Sequence, residues 1–159
     1  DLPGWQTISR KTIVSDSASE SFTITGYKMI RVKAAVRSTR TGSVADSLRM
    51  RFNGDTGSNY SSQAGALTTY ANPANVPASM TNTDRIGHTV IEWAYAAAHR
   101  LSGTSVQTAP LSTATGSDGG QAWAFMWTGA SSAAPTTVEF YCGAGDIAAG
   151  SEFLVEGYV

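Results

Sequence analysis

The chain has 159 residues, a length that suits one domain built around a single hydrophobic core. Charged residues make up 14% of it, the net charge is −1, and there is one cysteine. Nucleic-acid binding selects a clearly basic balance and a disulfide needs two cysteines, so this composition argues against a nucleic-acid partner and excludes a disulfide within these residues.

The first third of the chain shows the alternation of apolar and polar residues that is typical of half-buried strands. Residues 5–14 are rich in β-branched side chains, and residues 21–25 alternate before Gly26 breaks the run. The alternation is cleanest in residues 27–37, where every second side chain is apolar. The polar face of that strand carries three cations, which are Arg31, Lys33 and Arg37.

The next strand signal, residues 47–53, leads directly into a tight-turn sequence. Apolar side chains at every second position alternate with Arg49 and Arg51. Asn53 and Gly54 then offer the positive φ angles that a tight turn requires. We expect the apolar face of this strand to be buried and the two arginines to face outward.

Residues 61–84 interrupt the strand rhythm. Two prolines, Pro73 and Pro77, stand among several Asn and Ser residues, a composition that predicts a long irregular loop. Long loops in compact domains are commonly functional or interfacial. We therefore expect this loop, with its two prolines, to reach a neighbouring molecule.

Residues 87–101 carry two competing patterns. Val90, Ala94, Ala97 and Leu101 fall at helical spacing, whereas the side chains from His88 to Tyr95 alternate as they would in a strand. Periodicity alone does not choose between the two.

The last third of the chain returns to strand signals. In residues 122–127 aromatic side chains alternate with Ala and Met, as in a strand buried on both faces. Residues 136–142 place Cys142 on the apolar face, so we expect an inert core thiol, and residues 152–158 form a final strand. With all five prolines assigned to loops or the terminus, the pattern predicts an all-β antiparallel sandwich of about eight strands, the jelly-roll number.

Two phrases resemble small all-β structural proteins of tailed-phage virions. The first runs from Arg51 to Tyr60 and reads RFNGDTGSNY, and the second runs from Gly145 to Tyr158 near the end of the chain. They occur in order and at the expected separation, so the resemblance covers most of the chain. It implies one jelly-roll-like sandwich domain over residues 1–159, and it favours a strand rather than a helix over residues 87–101.

The resemblance also implies a structural role on the surface of a virion, without catalysis or a cofactor. The leading hypothesis is a capsid decoration protein that binds the assembled head lattice and stabilises it. Its partners would be the major capsid protein or other virion proteins, and a homotrimer is the favoured oligomer. Residues 1–6 would form an N-terminal arm with Trp5 as its anchor. No apolar run approaches the roughly 20 residues that span a bilayer, so we expect no membrane partner.

Two alternatives stay open. The same sandwich is reused in tail or head fibre modules that recognise a host surface. A carbohydrate-binding module of a secreted protein is a hypothesis from a different class, because flat aromatic side chains stack on sugar rings. Of the four tryptophans, only Trp5 lies outside a core strand pattern, which gives this second alternative little support.

The five cations Arg31, Lys33, Arg37, Arg49 and Arg51 lie on the outward faces of what the pattern predicts to be neighbouring strands. One interpretation is a solvated sheet face that also discourages edge pairing. The other is a docking surface for an acidic partner. No aromatic residue interrupts this basic stripe in the sequence, which argues against stacking on nucleic-acid bases.

Catalytic and metal-binding motifs are weak in this sequence. Asp55-Thr56-Gly57 matches the triplet of aspartic proteases, but it follows a turn pair rather than an apolar strand, so a hairpin turn explains it better. His88 and His99 have no metal-ligand spacing. Oxygen ligands for calcium exist in two clusters, Asn53 with Asp55 and Asn59, and Asn82 with Asp84, although such residues also form turns without a metal. We expect neither an enzyme nor a metal site.

Overall fold

The computed structural model describes residues 4–43, 45–62, 67–78, 86–96, 100–108, 120–131 and 134–159. Within these ranges the protein is all-β, with one short 3₁₀ turn at Thr128–Ser131. The strands are β1 (Trp5–Thr12), β2 (Glu20–Thr23), β3 (Met29–Val36), β4 (Ala45–Phe52), β5 (Tyr60–Ser62), β6 (Leu67–Thr68), β7 (Ala71–Pro77), β8 (Gly87–Ala94), β9 (Leu101–Thr108), β10 (Gly120–Trp127), β11 (Thr137–Cys142) and β12 (Glu152–Tyr158).

These strands form two antiparallel sheets that pack face to face as a sandwich. The large sheet has eight strands in the order β1-β12-β3-β8-β9-β10-β5-β6, and the small sheet has four in the order β2-β11-β4-β7. The all-β sandwich expected from the sequence is therefore confirmed. The expected strand number was too low, since the described residues alone contain twelve strands.

An aromatic core joins the two sheets. At one end, Phe22 and Phe140 of the small sheet lie 5.5 Å and 5.4 Å from Phe153 of the large sheet, measured between ring centroids. At the other end, Phe52 of the small sheet lies 5.2 Å from Trp93 and from Trp127 of the large sheet. These inward-facing side chains are the apolar members of the alternating runs, which is why the alternation located the strands well.

The segment predicted as one long loop contains three of the strands. β5, β6 and β7 all lie between residues 60 and 77, so both Pro73 and Pro77 belong to a strand rather than to a loop. β7 is an edge strand of the small sheet, where a missing N–H is tolerated. Its pairing with β4 also shifts register between Leu48 and Met50, next to Pro73, which relieves the ladder at that point.

β7 is held from across the sandwich by polar side chains of β9. The backbone N–H of Asn75 donates to Oε1 of Gln107 at 2.7 Å, and the hydroxyl of Ser105 donates to the carbonyl oxygen of Pro73. Both β9 side chains are buried. The loop interpretation missed β7 because its stabilising contacts come from a strand about 30 residues later in the chain.

The competing patterns at residues 87–101 are resolved for the described part. β8 covers Gly87–Ala94 with strictly alternating burial, which confirms the strand over those residues. The prediction that residues 1–6 form an N-terminal arm is wrong for Trp5 and Gln6. These two residues are the first of β1 and pair with Tyr158 and Gly157. No helix in the described ranges has the length and hydropathy needed to cross a bilayer.

Candidate functional site

The outer face of the large sheet, meaning the side turned away from the core, carries an exposed apolar row. Cross-strand pairing aligns Leu154, Lys33, Val90, Val106 and Ala122 across five adjacent strands. Val90 is 40% exposed and Val106 is 56% exposed. We call the four apolar members the apolar row: Val90, Val106 and Ala122 are consecutive, and Lys33 separates them from Leu154. A solvated face would present polar side chains at these positions.

The charged residues next to the apolar row neutralise one another. Nε of Arg31 lies 2.8 Å from the Glu156 carboxylate, Nζ of Lys33 lies 3.2 Å from the same carboxylate, and Nη1 of Arg31 lies 3.9 Å from Glu92. The hydrogen bond from Arg31, together with Lys33, holds the pKa of Glu156 below its ordinary value. Two cations and two anions thus cancel, and this face offers little net charge to a partner.

Two shallow depressions lie on this same face. The larger, about 510 Å³, lies along the apolar row and is bordered by Arg10 and His88. The smaller, about 400 Å³, is lined by Met29 and Gly103 among others and reaches Trp5. The face is therefore contoured rather than flat, which suits a protruding partner surface.

Trp5 is half-buried instead of free. The guanidinium of Arg31 lies 4.3 Å from the centre of its indole ring, and the ring of Tyr158 meets it edge-on at 5.8 Å. Trp5 is therefore packed against its own sheet, and only the exposed part of its ring is available to contact a partner on the outer face of the large sheet.

The outer face of the small sheet has a different chemistry. The guanidinium of Arg49 stacks 4.1 Å from the ring centre of Tyr70, and that of Arg51 stacks 4.5 Å from the ring centre of Tyr141. The two tyrosine rings meet edge-on at 6.5 Å. Together these four side chains form what we call the Arg–Tyr array, in which each cation is supported by an aromatic face.

Neither arginine of the Arg–Tyr array is paired with an acid in the part of the chain that the structure describes. Glu139 lies directly opposite Arg51 in the β11–β4 register, yet no ion pair joins them. Burial raises the pKa of Tyr141 although Arg51 and Arg49 act to lower it, and its hydroxyl is buried without a hydrogen-bond partner. The array is therefore a positively charged surface patch, and it includes the buried Tyr141 hydroxyl that has no hydrogen-bond partner.

The single basic stripe predicted from the sequence is wrong. β3, which carries Arg31 and Lys33, belongs to the large sheet, whereas β4, which carries Arg49 and Arg51, belongs to the small sheet. Strand alternation reveals which face a residue takes but not which sheet its strand joins. No aromatic residue lies between these cations along the chain, but distant parts of the chain bring aromatic rings against three of them, Arg31, Arg49 and Arg51.

Arg37 belongs to neither of these two surfaces. It follows β3, and Nη2 of its guanidinium donates to the carbonyl oxygen of Ala78 at 3.1 Å. This hydrogen bond ties the end of β3 to the residue that follows β7, so Arg37 has a structural role at the edge of the sandwich.

The phrase from Asn53 to Tyr60 forms a corner between the two sheets rather than a hairpin. Asn53 and Gly54 have φ angles of 54° and 66°, which confirms the tight turn. The chain leaves β4 in the small sheet and enters β5 in the large sheet. The hydroxyl of Tyr60 accepts from the Phe52 N–H at 3.0 Å and donates to the Asp55 carbonyl at 3.1 Å, which closes the corner.

The Asp55 carboxylate is occupied by hydrogen-bond donors. It accepts from the Gly57 N–H at 2.8 Å, from the Asn59 amide at 2.9 Å and from the Trp127 indole N–H at 2.8 Å. Burial acts to raise the pKa of Asp55, but these three hydrogen bonds lower it overall. Donors aimed at the carboxylate oxygens fit a structural acid, and they fit neither a proton-sharing protease dyad nor a calcium ligand.

The remaining candidate groups that lie in the described part of the chain do not assemble a reactive site. Oδ1 of Asn53 accepts hydrogen bonds from Thr136 and Thr137, so it is also engaged by donors. His88 is exposed on the outer face of the large sheet. Within the described ranges, no cluster of three or more His, Cys, Asp or Glu side chains is arranged to hold a metal. His99, Asn82 and Asp84 lie outside the described residues.

Cys142 is buried in the core, as its place on the apolar face of its strand indicated. Burial, with the nearby Asp46 carboxylate, raises the pKa of its thiol to about 12. Such a thiol carries almost no thiolate at neutral pH and is inert.

Neither a protein-family model nor a curated protein matches this sequence. The relation to tailed-phage virion proteins therefore rests on the two sequence phrases alone and stays a hypothesis. The two outer sheet faces are the surfaces from which a function can be argued.

Proposed function

We propose that the protein is a structural component of a tailed-phage particle, a capsid decoration protein that docks on the assembled head through the outer face of its large sheet. The observation that carries this proposal is the apolar row. Val90 and Val106 stand 40% and 56% exposed at its centre, in a position where burial against a protein would be favourable.

The electrostatics of the same face support a protein partner. Because Arg31 and Lys33 are neutralised by Glu156, and Arg31 also approaches Glu92, docking would not bury either of these two cations without a partner. Protein interfaces commonly combine an apolar centre with polar groups at the rim. The arrangement here has that form, with the ion pairs beside the apolar row.

The proposed mechanism is mass action on the lattice. A protein that binds only the assembled, expanded shell stabilises that state in proportion to its occupancy. Many copies around one head sum their individual contributions, so modest contacts at each site are sufficient. A homotrimer at three-fold positions would add avidity, since each subunit after the first binds at high effective concentration.

The docking face is tested by a charge substitution at its centre. Val106→Glu places a carboxylate in the apolar row, while Val14→Glu makes the same change at a residue that is 91% exposed and outside the row. Each purified variant is mixed with heads that lack this protein, and binding is measured by co-sedimentation. We expect Val106→Glu to abolish binding and Val14→Glu to leave it unchanged.

A virion component must first be detectable in the virion itself. The chain must be present in purified particles of the phage whose genome encodes it, which mass spectrometry of those particles measures. Absence from the particles, or full binding by Val106→Glu, would overturn the proposal. The trimer is tested separately by light scattering over a tenfold range of concentration, where a strict monomer would overturn pre-assembly but not docking.

A further inference from the structure

We propose that the Arg–Tyr array on the outer face of the small sheet is a binding site for an acidic oligosaccharide, with Arg49 and Arg51 gripping its carboxylate or sulfate groups. This goes beyond docking through the large sheet, because the two surfaces lie on opposite sides of the sandwich. A particle-bound copy would keep the array exposed to the surroundings.

The two guanidinium groups of the array are held in fixed orientations. Nε of Arg49 donates to the Ser47 hydroxyl at 3.1 Å, and Nε of Arg51 donates to the Thr69 carbonyl at 3.1 Å. Stacking on tyrosine rings fixes the plane of each group. Within the described residues the Nη groups of both arginines donate to nothing, so each presents a pair of N–H donors suited to an oxyanion.

The two outer faces of the sandwich also differ in how their cations are paired. On the large sheet, Arg31 and Lys33 are compensated by carboxylates, whereas on the small sheet no described acid lies within ion-pair distance of either arginine. The two arginines are two positions apart in one strand, which places their Cα atoms about 7 Å apart. The face therefore holds two organised arginines, neither of them in an ion pair among the described residues, that a ligand with spaced anionic groups would engage.

The side chains around the array favour a sugar over a protein as the ligand. The exposed large apolar side chains of the described residues are Val14, Met29, Val90, Val106, Tyr158 and Val159, and none of them lies on this face. Hydroxyl and amide side chains surround the array instead, among them Ser47, Asn75 and Thr137, which strand alternation turns outward. Protein interfaces commonly have an apolar centre, which this face lacks. Polar groups placed beside aromatic side chains suit a small ligand such as a sugar.

Nucleic acid fits this face less well. Duplex DNA and single strands are held by many phosphate contacts along an extended basic track. The array supplies two arginines, with Glu139 placed opposite one of them in the register. We therefore assign the site to a short acidic saccharide and treat a polynucleotide as an outcome that the experiment must distinguish.

The test is calorimetric titration of the whole chain with five probes. These are a hexagalacturonate, a heparin-derived hexasaccharide, the neutral sugar maltohexaose, a hexaglutamate peptide and a single-stranded hexanucleotide. We expect binding of one or both acidic sugars, weakened by added salt, and no binding of maltohexaose. Preference for hexaglutamate or for the hexanucleotide, or no binding of either acidic sugar at millimolar concentration, would overturn the proposal.

Substitutions then assign the binding to the array. The double variant Arg49→Gln with Arg51→Gln should weaken binding of the acidic sugar at least tenfold. Arg100→Gln removes an exposed arginine directly before β9, outside the array, and should leave binding of the sugar unchanged. The double variant with lysines keeps both charges but loses the forked N–H donors, so we expect it to bind more weakly than the original. Equal binding by the lysine variant would overturn geometric recognition by these arginines.

Thermal unfolding of each variant shows whether the sandwich is intact. Because Val106→Glu alters the opposite sheet, its effect on head binding is independent of any result with the sugars.

Discussion

The indole N–H of Trp127 donates a 2.8 Å hydrogen bond to the carboxylate of Asp55, and the two residues lie 72 positions apart in the chain. Trp127 ends β10 in the large sheet, and Asp55 lies in the corner by which the chain leaves the small sheet. This contact therefore fastens the two sheets at one end of the sandwich. The triplet that resembles a protease motif has a structural explanation in this hydrogen bond.

Replacing Asp55 should destabilise the fold more than its half-buried position in a turn would indicate. Asp55→Ala removes the acceptor for three N–H groups and leaves the buried Trp127 indole unsatisfied, which should cost about 2–4 kcal/mol of unfolding free energy. Urea unfolding followed by tryptophan fluorescence measures this loss. Ser58→Ala, at an exposed residue of the same corner, is the control and should change stability by less than about 0.5 kcal/mol. Equal stability of the two variants would contradict the assigned role.

The ion pairs of Glu156 should make stability depend on pH in the acid range. Its folded-state pKa lies below the ordinary 4.5, chiefly because Arg31 donates to the carboxylate. The stabilisation is thus fully present above the unfolded-state pKa and is lost as the pH falls through the folded-state value. Glu156→Gln should cost roughly 1 kcal/mol at pH 7, and this difference from the original protein should shrink below about pH 4.5.

The matched control for that experiment is Glu152→Gln, since Glu152 is an exposed acid on the same strand and the same face. Thermal or urea unfolding at a series of pH values compares the three proteins. If the difference in unfolding free energy between the original protein and Glu156→Gln stayed constant down to pH 3, the ion pairs of Glu156 would not be the cause of that difference.

Gly103 should tolerate no side chain, because a neighbouring strand and ring occupy the space. A Cβ atom there would lie 2.3 Å from Cζ of Phe125 and 2.6 Å from the backbone oxygen of Glu92. The backbone oxygen belongs to the paired strand β8 and cannot move without disturbing the sheet. Gly103→Ala should therefore lower the unfolding free energy by about 1–3 kcal/mol, as overpacking does. The exposed neighbour Thr104→Ala serves as the control, and a stability of Gly103→Ala equal to that of Thr104→Ala would refute the packing argument.

The positions of the strands could be read from the sequence because burial on one face produces a local signal. Leu48, Met50 and Phe52 are all fully buried, as their alternation predicted. The partner of each strand gives no local signal, since pairing is decided by residues far away in the chain. For this reason the sequence suggested that the arginines of β3 and β4 share a face, although these strands lie in different sheets.

The candidate sites also combine features that the local sequence predicts with contacts that it does not. Arg49 and Arg51 were recognised from their outward positions, but the rings of Tyr70 and Tyr141 reach them from two other parts of the chain. No spacing in the sequence connects these four residues. β7 was missed for a related reason, because its prolines give a loop signal that edge position and contacts from β9 override.

The buried thiol gives a direct probe of whether the core opens. With a pKa of about 12, Cys142 carries a thiolate fraction of about 10⁻⁴ at pH 8, and its side chain is also buried. Labelling by iodoacetamide under native conditions should therefore be negligible and should rise with urea in parallel with global unfolding. A Ser58→Cys variant, with an added thiol at an exposed position, should be labelled once rapidly in the folded state. Rapid labelling of Cys142 in the original protein without urea would mean that β11 opens locally, which would contradict a core packed around Phe140 and Phe153.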